Sequence, residues 1–408
     1  MILNSQHGFR RNRSCLTNLL VFMENIAKDL DEGLAVDVVY LDFQKAFDKV
    51  PHDRLVRKLH NIGIRGNLLE WIKEWLRGRQ QRVVLNGEAS DWVAVSSGVP
   101  QGSVLGPLLF IIYVNDLDIG IVNKLLKFAD DTKLLGRVST AHQFKEVQQD
   151  LDRIHDWSKE WGMSFNIDKC KVMHLGKKNQ QEKLSLGGKV LEVVDEEKDL
   201  GVTVSSNFKV SNQCAKVAKK GYQVLGLINR SFANKSGEIM LPLYKSLVRP
   251  HLDYCVQAWR PSLIKDIDVL EKVQRRATRM ISECREMDYE KRLKVLKLTT
   301  LETRRLRADL VEVYKIVNRL EDLKEGDFFT RQGRQIGIDK GGAIAASTRG
   351  NSLKFYKPRF RLDVAKYSFG HRVVNDWNEL PDGIVLATSV NAFKGKLDNH
   401  LANTRGLQ

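Results

Sequence analysis

The sequence is poor in paired cysteines, in long apolar runs and in any leader-like start. Its five cysteines, Cys15, Cys170, Cys214, Cys255 and Cys284, lie far apart, and none forms a C-x-x-C pair. A zinc knuckle or ribbon needs closely paired ligands, so the spacing excludes structural zinc. An odd number of scattered thiols suits a reducing compartment. No apolar stretch approaches the roughly 20 residues that a spanning helix needs. The longest candidate, Leu105 to Val114, is much too short and carries Pro107. Met1-Ile2-Leu3-Asn4-Ser5-Gln6 lacks the charged-then-apolar order of a signal peptide. Secretion and membrane insertion are therefore not expected; the nucleus, the cytoplasm or both are.

What the chain has in quantity is positive charge. Against 50 Asp and Glu stand 66 Lys and Arg, a formal balance of +16 over 408 residues. Hydrophobic residues at 42% and charged residues at 28% fit a globular chain rather than a disordered one. The length suffices for two or three domains, each with its own core. The charge points to a polyanionic partner, nucleic acid or an acidic membrane surface.

Periodicity gives a coarse map with no internal repeat. Leu16, Leu19, Leu20, Met23 and Ala27 fall at helical spacing. After Gly33, Val36 to Leu41 reads as a buried strand. Leu55, Leu59 and Ile62 mark one helix, and Leu68 to Leu76 another. Asn86-Gly87 between Arg82–Leu85 and Trp92–Val95 is a hairpin signal with a loop longer than two residues. An apolar helix follows from Ser103 to Asn115, then two β-prone pieces flanking Ala129-Asp130-Asp131, then a helix through Trp161. Short strands are expected at 171–175, 184–194 and 201–204. From about Ala215 the pattern turns helical, near 215–229, 237–248, 265–282 and 300–320. The glycine-rich stretch Glu325 to Asn351 reads as a linker before a small C-terminal piece. The expected organisation is a body over 1–205, a basic helical region over 206–324 and a remainder over 325–408. The expected class is α+β.

Two places put acids at strand ends or turns, Tyr40-Leu41-Asp42-Phe43 and Phe128-Ala129-Asp130-Asp131. Neighbouring carboxylates repel by roughly a few kcal/mol in a partly buried site. A divalent cation relieves that repulsion, and Mg²⁺ takes one or two carboxylates together with substrate phosphates. Aspartates are also common turn residues, so the Asp pair alone does not separate a turn from a site. Between the two acidic places lies Ser97-Gly98-Val99-Pro100-Gln101-Gly102-Ser103, whose glycines allow close approach of a ligand and whose Gln101 can hydrogen-bond a sugar or base. Ser103 has no readable His/Asp relay, which rejects a hydrolase role.

Taken together, these segments resemble the reverse transcriptase of a non-LTR retrotransposon of the long interspersed element group. Leu41 to His52 is similar to that family's first catalytic block, Gly98 to Phe110 to its nucleotide and template block, and Phe128 to Asp131 to its catalytic hairpin. Trp161 to Cys170 resembles the next palm block, Leu200-Gly201-Val202 the hairpin that grips the primer, and Gln6 to Arg10 with Ser14 a fingers segment. Order and spacing agree from residue 5 to about 210; Trp377-Asn378-Glu379-Leu380-Pro381 resembles the family's C-terminal portion.

The resemblance implies a right-hand polymerase palm with partial fingers, an antiparallel sheet with helices, followed by an all-helical thumb-like region. It implies RNA-directed DNA synthesis, in which a primer 3′-hydroxyl attacks the α-phosphate of a deoxynucleoside triphosphate. Asp42, Asp130 and Asp131 would ligate two Mg²⁺ ions, with Mn²⁺ as a substitute. Phe43 would offer its carbonyl, Phe47 would exclude a 2′-hydroxyl, and Pro100, Gln101 and Gly102 would shape the nucleotide site. Lys169 would neutralise or protonate the leaving pyrophosphate. Arg10 would bind nucleic acid. The implied partners are an RNA template (the element's own RNA), a DNA primer and deoxynucleoside triphosphates, with no membrane and no oligomeric state assigned.

Basic residues crowd one later region. From Lys265 to Arg307 there are 13 Lys and Arg against eight acids. Ile267, Leu270, Val273, Ala277 and Ile281 form the expected buried stripe of one helix, leaving Arg275, Arg276 and Arg279 off it to track a phosphate backbone. The similarity begins only at Gln6, without the family's earlier fingers block or its endonuclease. A truncated chain with impaired nucleotide binding is therefore expected. Two readings stay open: a polymerase, and a non-catalytic nucleic-acid-binding remnant or domesticated protein.

Overall fold

A computed structural model describes residues 2–332 and 351–404. The chain divides into two compact units, Met1–Asn18 with Gly33–Asp195, and Leu19–Glu32 with Glu196–Gln408. Helix α1 (Cys15–Asp31) is shared between them.

In the first unit the strands are β1 (Val36–Leu41), the two-residue strands β2 (Gln80–Gln81), β3 (Val84–Leu85), β4 (Glu88–Ala89) and β5 (Val93–Ala94), the hairpin β6 (Lys124–Phe128) and β7 (Asp131–Arg137), then β8 (Lys171–Leu175), β9 (Ser185–Leu186), β10 (Lys189–Val190) and β11 (Glu192–Val193). Five of them build the central sheet in the order β11-β8-β1-β7-β6. It is antiparallel except at the β8–β11 edge. Its helices are α2 (His52–Asn61), α3 (Gly66–Leu76), α4 (Leu105–Tyr113) and α5 (Ala141–Trp161).

The alternation of a strand explains which side chains make the core. Val39 and Leu41, two apart on β1, share one face. They join Leu125 of β6, Leu134 of β7 and Val172 of β8 in a single cluster. Helix α4, apolar nearly all round, adds Leu109, Phe110 and Ile111. Helix α5 adds the i, i+4, i+7 stripe Val147, Leu151 and Ile154. The Thr140 hydroxyl accepts from the Gln143 N–H at its start, and Gly162 at φ 69° ends it.

The strand β1, the β6–β7 hairpin and helices α4 and α5 lie where the sequence predicts them. The exposed ribbon differs. Asn86-Gly87 is a two-residue turn after all, because β3 pairs with β4 directly across it and the outer pair is β2 with β5. The partner segment begins at Glu88 rather than Trp92.

The second unit opens with a hairpin, β12 (Glu196–Asp199) and β13 (Val202–Ser205), joined by Leu200-Gly201. Helices α6 (Ser211–Ser231), α7 (Gly237–Leu243), α8 (Arg249–Asp253), α9 (Val256–Trp259), α10 (Ile264–Arg279), α11 (Tyr289–Val295) and α12 (Leu301–Val317) follow. The predicted helix over 237–248 holds Pro242 inside α7, and its last turn widens into a π-turn over Tyr244–Val248. Leu270, Val273, Ala277 and Ile281 are buried as predicted, whereas Ile267 is half-buried.

The C-terminal residues are tied into this unit by a chain of rings. Tyr314 of α12 stacks on Phe393 at 4.3 Å, Phe393 meets Trp377, and Trp377 stacks on Phe355, which stacks on Phe329 at 4.4 Å. Of the predicted glycine-rich linker, residues 333–350 lie outside the described residues. No disulfide joins the five cysteines, and no helix among the described residues is long and apolar enough to cross a membrane.

Candidate active site

The first acid stands where β1 ends. Register pairs Leu41 with Thr132 of β7, which brings Asp42, one residue on, level with Asp131. The Asp42 backbone is gripped from the other side. Its N–H donates to the Cys170 Sγ at 3.4 Å and its carbonyl accepts from the Asn166 N–H at 2.8 Å. Next along, Phe43 bridges Phe165 in antiparallel fashion and their rings stack at 4.3 Å. The Gln44 N–H donates to the Ser164 carbonyl at 2.8 Å. The Trp161–Cys170 segment thus braces residues 42–44, and the Phe43 ring is core, leaving only its backbone to face a ligand.

The second acid sits on the hairpin tip. Pairing of Phe128 with Asp131 leaves Ala129-Asp130 as the two-residue turn, with Ala129 in the left-handed region at φ 56°. Asp130 is half-buried, and its carboxyl is held above the ordinary aspartate range, first by burial and further by the charge of Asp42. Asp42 and Asp130 are therefore electrostatic neighbours. Asp131 starts β7 and is exposed. Lys169, on the turn Ile167–Lys169, reaches Asp42 Oδ2 at 3.8 Å, a long contact between two open side chains.

The segment after Asp42 in turn pins a loop. The Gly98 N–H donates to the Val50 carbonyl, the Val99 N–H to the Phe47 carbonyl at 2.7 Å, and the Ser97 hydroxyl to the Asp48 carbonyl at 2.8 Å. Gly98 has φ 92°, and a Cβ there would fall 2.7 Å from the Asp48 carbonyl oxygen, so only glycine fits. The Gln101 amide donates to Asp48 Oδ1 at 3.0 Å. Pro100 is half-buried, while Gln101 and Gly102 are exposed. The Ser103 hydroxyl donates to the Pro100 carbonyl and accepts from the Gly106 N–H, so it fastens the loop to the start of α4.

Phe47 lies in an aromatic stack. Its ring meets Phe110 of α4 at 4.4 Å and the edge of Phe9 at 6.4 Å. Phe9 itself is 56% exposed. Nothing in the sequence pattern marks Phe9 or Phe110 as Phe47's partners, since aromatic contacts between residues so far apart along the chain have no periodicity. Arg10 donates to the Leu3 carbonyl at 2.7 Å and approaches that of Gln6, so part of its hydrogen-bonding capacity braces the N-terminal segment.

Asp42 and Asp130, neighbouring carboxylates on separate elements, suit a divalent ion. Two carboxylates converge, and the raised pKa of one marks a charge that a cation would relieve. Among the described residues, no three His, Cys, Asp or Glu side chains gather closely enough to hold an ion by themselves. A site of this kind needs substrate phosphates to complete it, which is how Mg²⁺ is commonly held.

Residues 1–228 match the family described as "Reverse transcriptase (RNA-dependent DNA polymerase)". The chain belongs to that family. The motif resemblance is borne out at this level, as is the α+β class. Among the reverse transcriptases it resembles is the probable RNA-directed DNA polymerase from transposon X-element of Drosophila melanogaster, 28% identical over 294 residues, or 68% of this chain and 32% of that protein. The RNA-directed DNA polymerase from mobile element jockey of the same species is 28% identical over 316 residues, 72% of this chain and 33% of that one. The chain thus spans about a third of the length of these curated relatives. Among solved structures, apo telomerase from Candida Tropicalis is similar over 72% of this chain and 50% of that one, at 12% identity and a TM-score of 0.40.

In the second unit of this reverse transcriptase family member, Arg275, Arg276 and Arg279 lie exposed on α10 and line a cleft with Tyr222, Lys272 and Arg285. Arg275 sits over the Tyr289 ring at 5.0 Å and Arg276 over Tyr222 at 5.5 Å. The helical stripe located the arginines of α10, and Arg285 falls within the basic region read from Lys265 to Arg307; the tyrosines under Arg275 and Arg276 come from other elements and were not legible.

Proposed function

We propose that this chain carries the polymerase chemistry of a retrotransposon RNA-directed DNA polymerase, extending a DNA primer on an RNA template (the element's own RNA) with deoxynucleoside triphosphates. The observation that carries this reading is the approach of Asp42, at the end of β1, to Asp130, on the β6–β7 turn. Two like charges brought together across separate strands cost stability and serve nothing in packing.

Asp42 and Asp130, with Asp131 as the third acid, would hold two Mg²⁺ ions, or Mn²⁺ in their place. Bound there, such ions supply a lowered pKa at the primer hydroxyl and charge neutralisation at the departing pyrophosphate. The protein's own part is positioning. The Asn166 and Cys170 contacts hold the Asp42 backbone, and the Phe43 carbonyl adds a neutral oxygen. The Phe47 ring, backed by Phe110, would stand under the sugar and leave no room for a 2′-hydroxyl. Half-buried Pro100 with exposed Gln101 and Gly102 would shape the nucleotide site, and Lys169, beside Asp42, would meet the leaving group. The α10 arginines would take phosphates of the duplex, as would Arg10. Action in the nucleus, the cytoplasm or both is part of this proposal.

The test is incorporation of a labelled deoxynucleotide onto a DNA primer annealed to RNA, by the full chain with Mg²⁺. Asp130→Asn is the control. Incorporation by the parent that the substitution abolishes supports the reading; incorporation unchanged by it removes the proposed site. Duplex binding without any extension would favour a non-catalytic nucleic-acid-binding protein, for which the basic cleft on α10 speaks.

A further inference from the structure

Gln6 is 1% exposed, and its side-chain amide is spent on the β6–β7 turn. Its Oε1 accepts from the Ala129 N–H at 2.9 Å and from the Gly8 N–H at 2.7 Å. Its Nε2 lies 3.4 Å from the Ala129 carbonyl. The main chain on either side is fixed too. The Lys127 N–H donates to the Ser5 carbonyl and the His7 N–H to the Lys127 carbonyl, both at 2.8 Å, so Gln6 pairs in parallel with Lys127. Gln6 is therefore fastened to β6 by a single parallel bridge, and its side chain carries that hold one step further, onto the turn.

The turn needs such a hold. Ala129 has φ 56°, a conformation that a side chain with a Cβ adopts at a cost, and it persists where surrounding contacts over-determine it. A buried N–H in that turn must also find an acceptor. Gly8 closes the other side: a Cβ on it would fall 2.4 Å from the Ala129 nitrogen. The residue after Ala129 is Asp130, whose backbone direction follows from the Ala129 torsions.

We propose that Gln6 is a positioning residue for Asp130, its amide clamping the Ala129-Asp130 turn and so setting the direction of the Asp130 carboxylate. This rests on the reading of Asp130 as part of the polymerase site. The Gln6 segment, more than a hundred residues from the turn along the chain, thereby acts on the reaction without touching substrate.

The experiment uses the full chain, comparing Gln6→Met, which keeps the side chain's bulk and removes the acceptor, with Gln6→Glu, which keeps the acceptor. Three quantities are read: the single-turnover incorporation rate at saturating nucleotide, the affinity for the primer–template duplex, and hydrogen exchange in the peptide spanning 124–132. Gln6→Met is expected to lose exchange protection at the turn and about 10²-fold in rate, the cost of a misplacement on the order of an ångström. Duplex affinity should stay within about two-fold, since only the chemical step depends on the carboxylate. Gln6→Glu should regain most of the rate. Gly8→Ala, which presses on the same nitrogen from the other side, should reproduce the selective rate loss even where Gln6→Met folds poorly. If Asp130→Asn abolishes incorporation while Gln6→Met and Gly8→Ala keep the parent rate, the clamp is structural only and the proposal is overturned. A rate that also survives Asp130→Asn instead brings down the reading of the site itself.

Discussion

Asp42 raises the proton affinity of Asp130. The two residues come from different strands, and the charge on the first adds to burial in holding the second's carboxyl above the ordinary aspartate range. An acid whose pKa is higher folded than unfolded binds more protons in the native state, so stability falls as pH rises from the ordinary aspartate pKa through the raised one. Asp130→Asn should therefore raise Tm at neutral pH by on the order of a few degrees and have little effect in acid, below the ordinary aspartate pKa. Thermal melts of both proteins across pH check this. A Tm gain as large in acid as at neutrality would contradict the assigned cause.

Divalent ions should act on the same repulsion. Mg²⁺ or Mn²⁺ added with a deoxynucleoside triphosphate is expected to raise the Tm of the parent, and chelation to reverse it. Asp42→Asn and Asp130→Asn should each blunt that response. Equal stabilisation of all three proteins would place the ions elsewhere.

Phe47 is backed by Phe110 at 4.4 Å, so its ring is held rather than free to swing aside. Phe47→Val should relax discrimination against ribonucleoside triphosphates by about 10- to 100-fold. The lost stacking should cost about 1 kcal/mol of stability. Competitive incorporation of the two nucleotide classes reads the first effect and denaturant unfolding the second.

Gly98 presses against Asp48 at a positive φ that disfavours side chains. Gly98→Ala should destabilise by about 1–3 kcal/mol through strain alone. Gln101→Ala, on the same loop but exposed, should leave stability within about 0.5 kcal/mol and raise the KM for nucleotide instead. Chemical denaturation and steady-state kinetics separate the two.

Arg275→Ala with Arg276→Ala should weaken duplex binding and lower the salt slope by about one per residue, with no preference among sequences. Because both are exposed on α10, the melting temperature should barely move. Salt-dependent binding titrations decide the point.

Much of this architecture could be read before any coordinates, and the reasons for the exceptions are physical. Val36–Leu41 is buried except at half-buried Tyr40 and reads as an unbroken apolar run apart from Asp37, so its ends fall where predicted. The β6–β7 hairpin is framed by β-prone residues around two acids. By contrast β12, Glu-Glu-Lys-Asp, has no apolar residue, and only its pairing with Val202–Ser205 makes it a strand. The ribbon β2–β5 is exposed throughout, which removes the alternation that a strand on a core displays. Helix α6 starts at Ser211, four residues before the apolar periodicity begins. At the site, the acids and Phe47 stood out by motif. Gln6, Asn166, Cys170 and Phe110 also lie in segments that stood out by motif, but what each of them holds did not show: their contacts run across long sequence separations and leave no local pattern.

Asp42 and Asp130 should act on one reaction as one unit, and a double-mutant cycle on single-turnover incorporation measures that coupling. If they share a site, Asp42→Asn, Asp130→Asn and the double variant should lose about the same factor, since removing either acid already disables the pair. Losses that multiply, the double variant falling by the product of the two single effects, would mean two independent contributions and contradict the shared site.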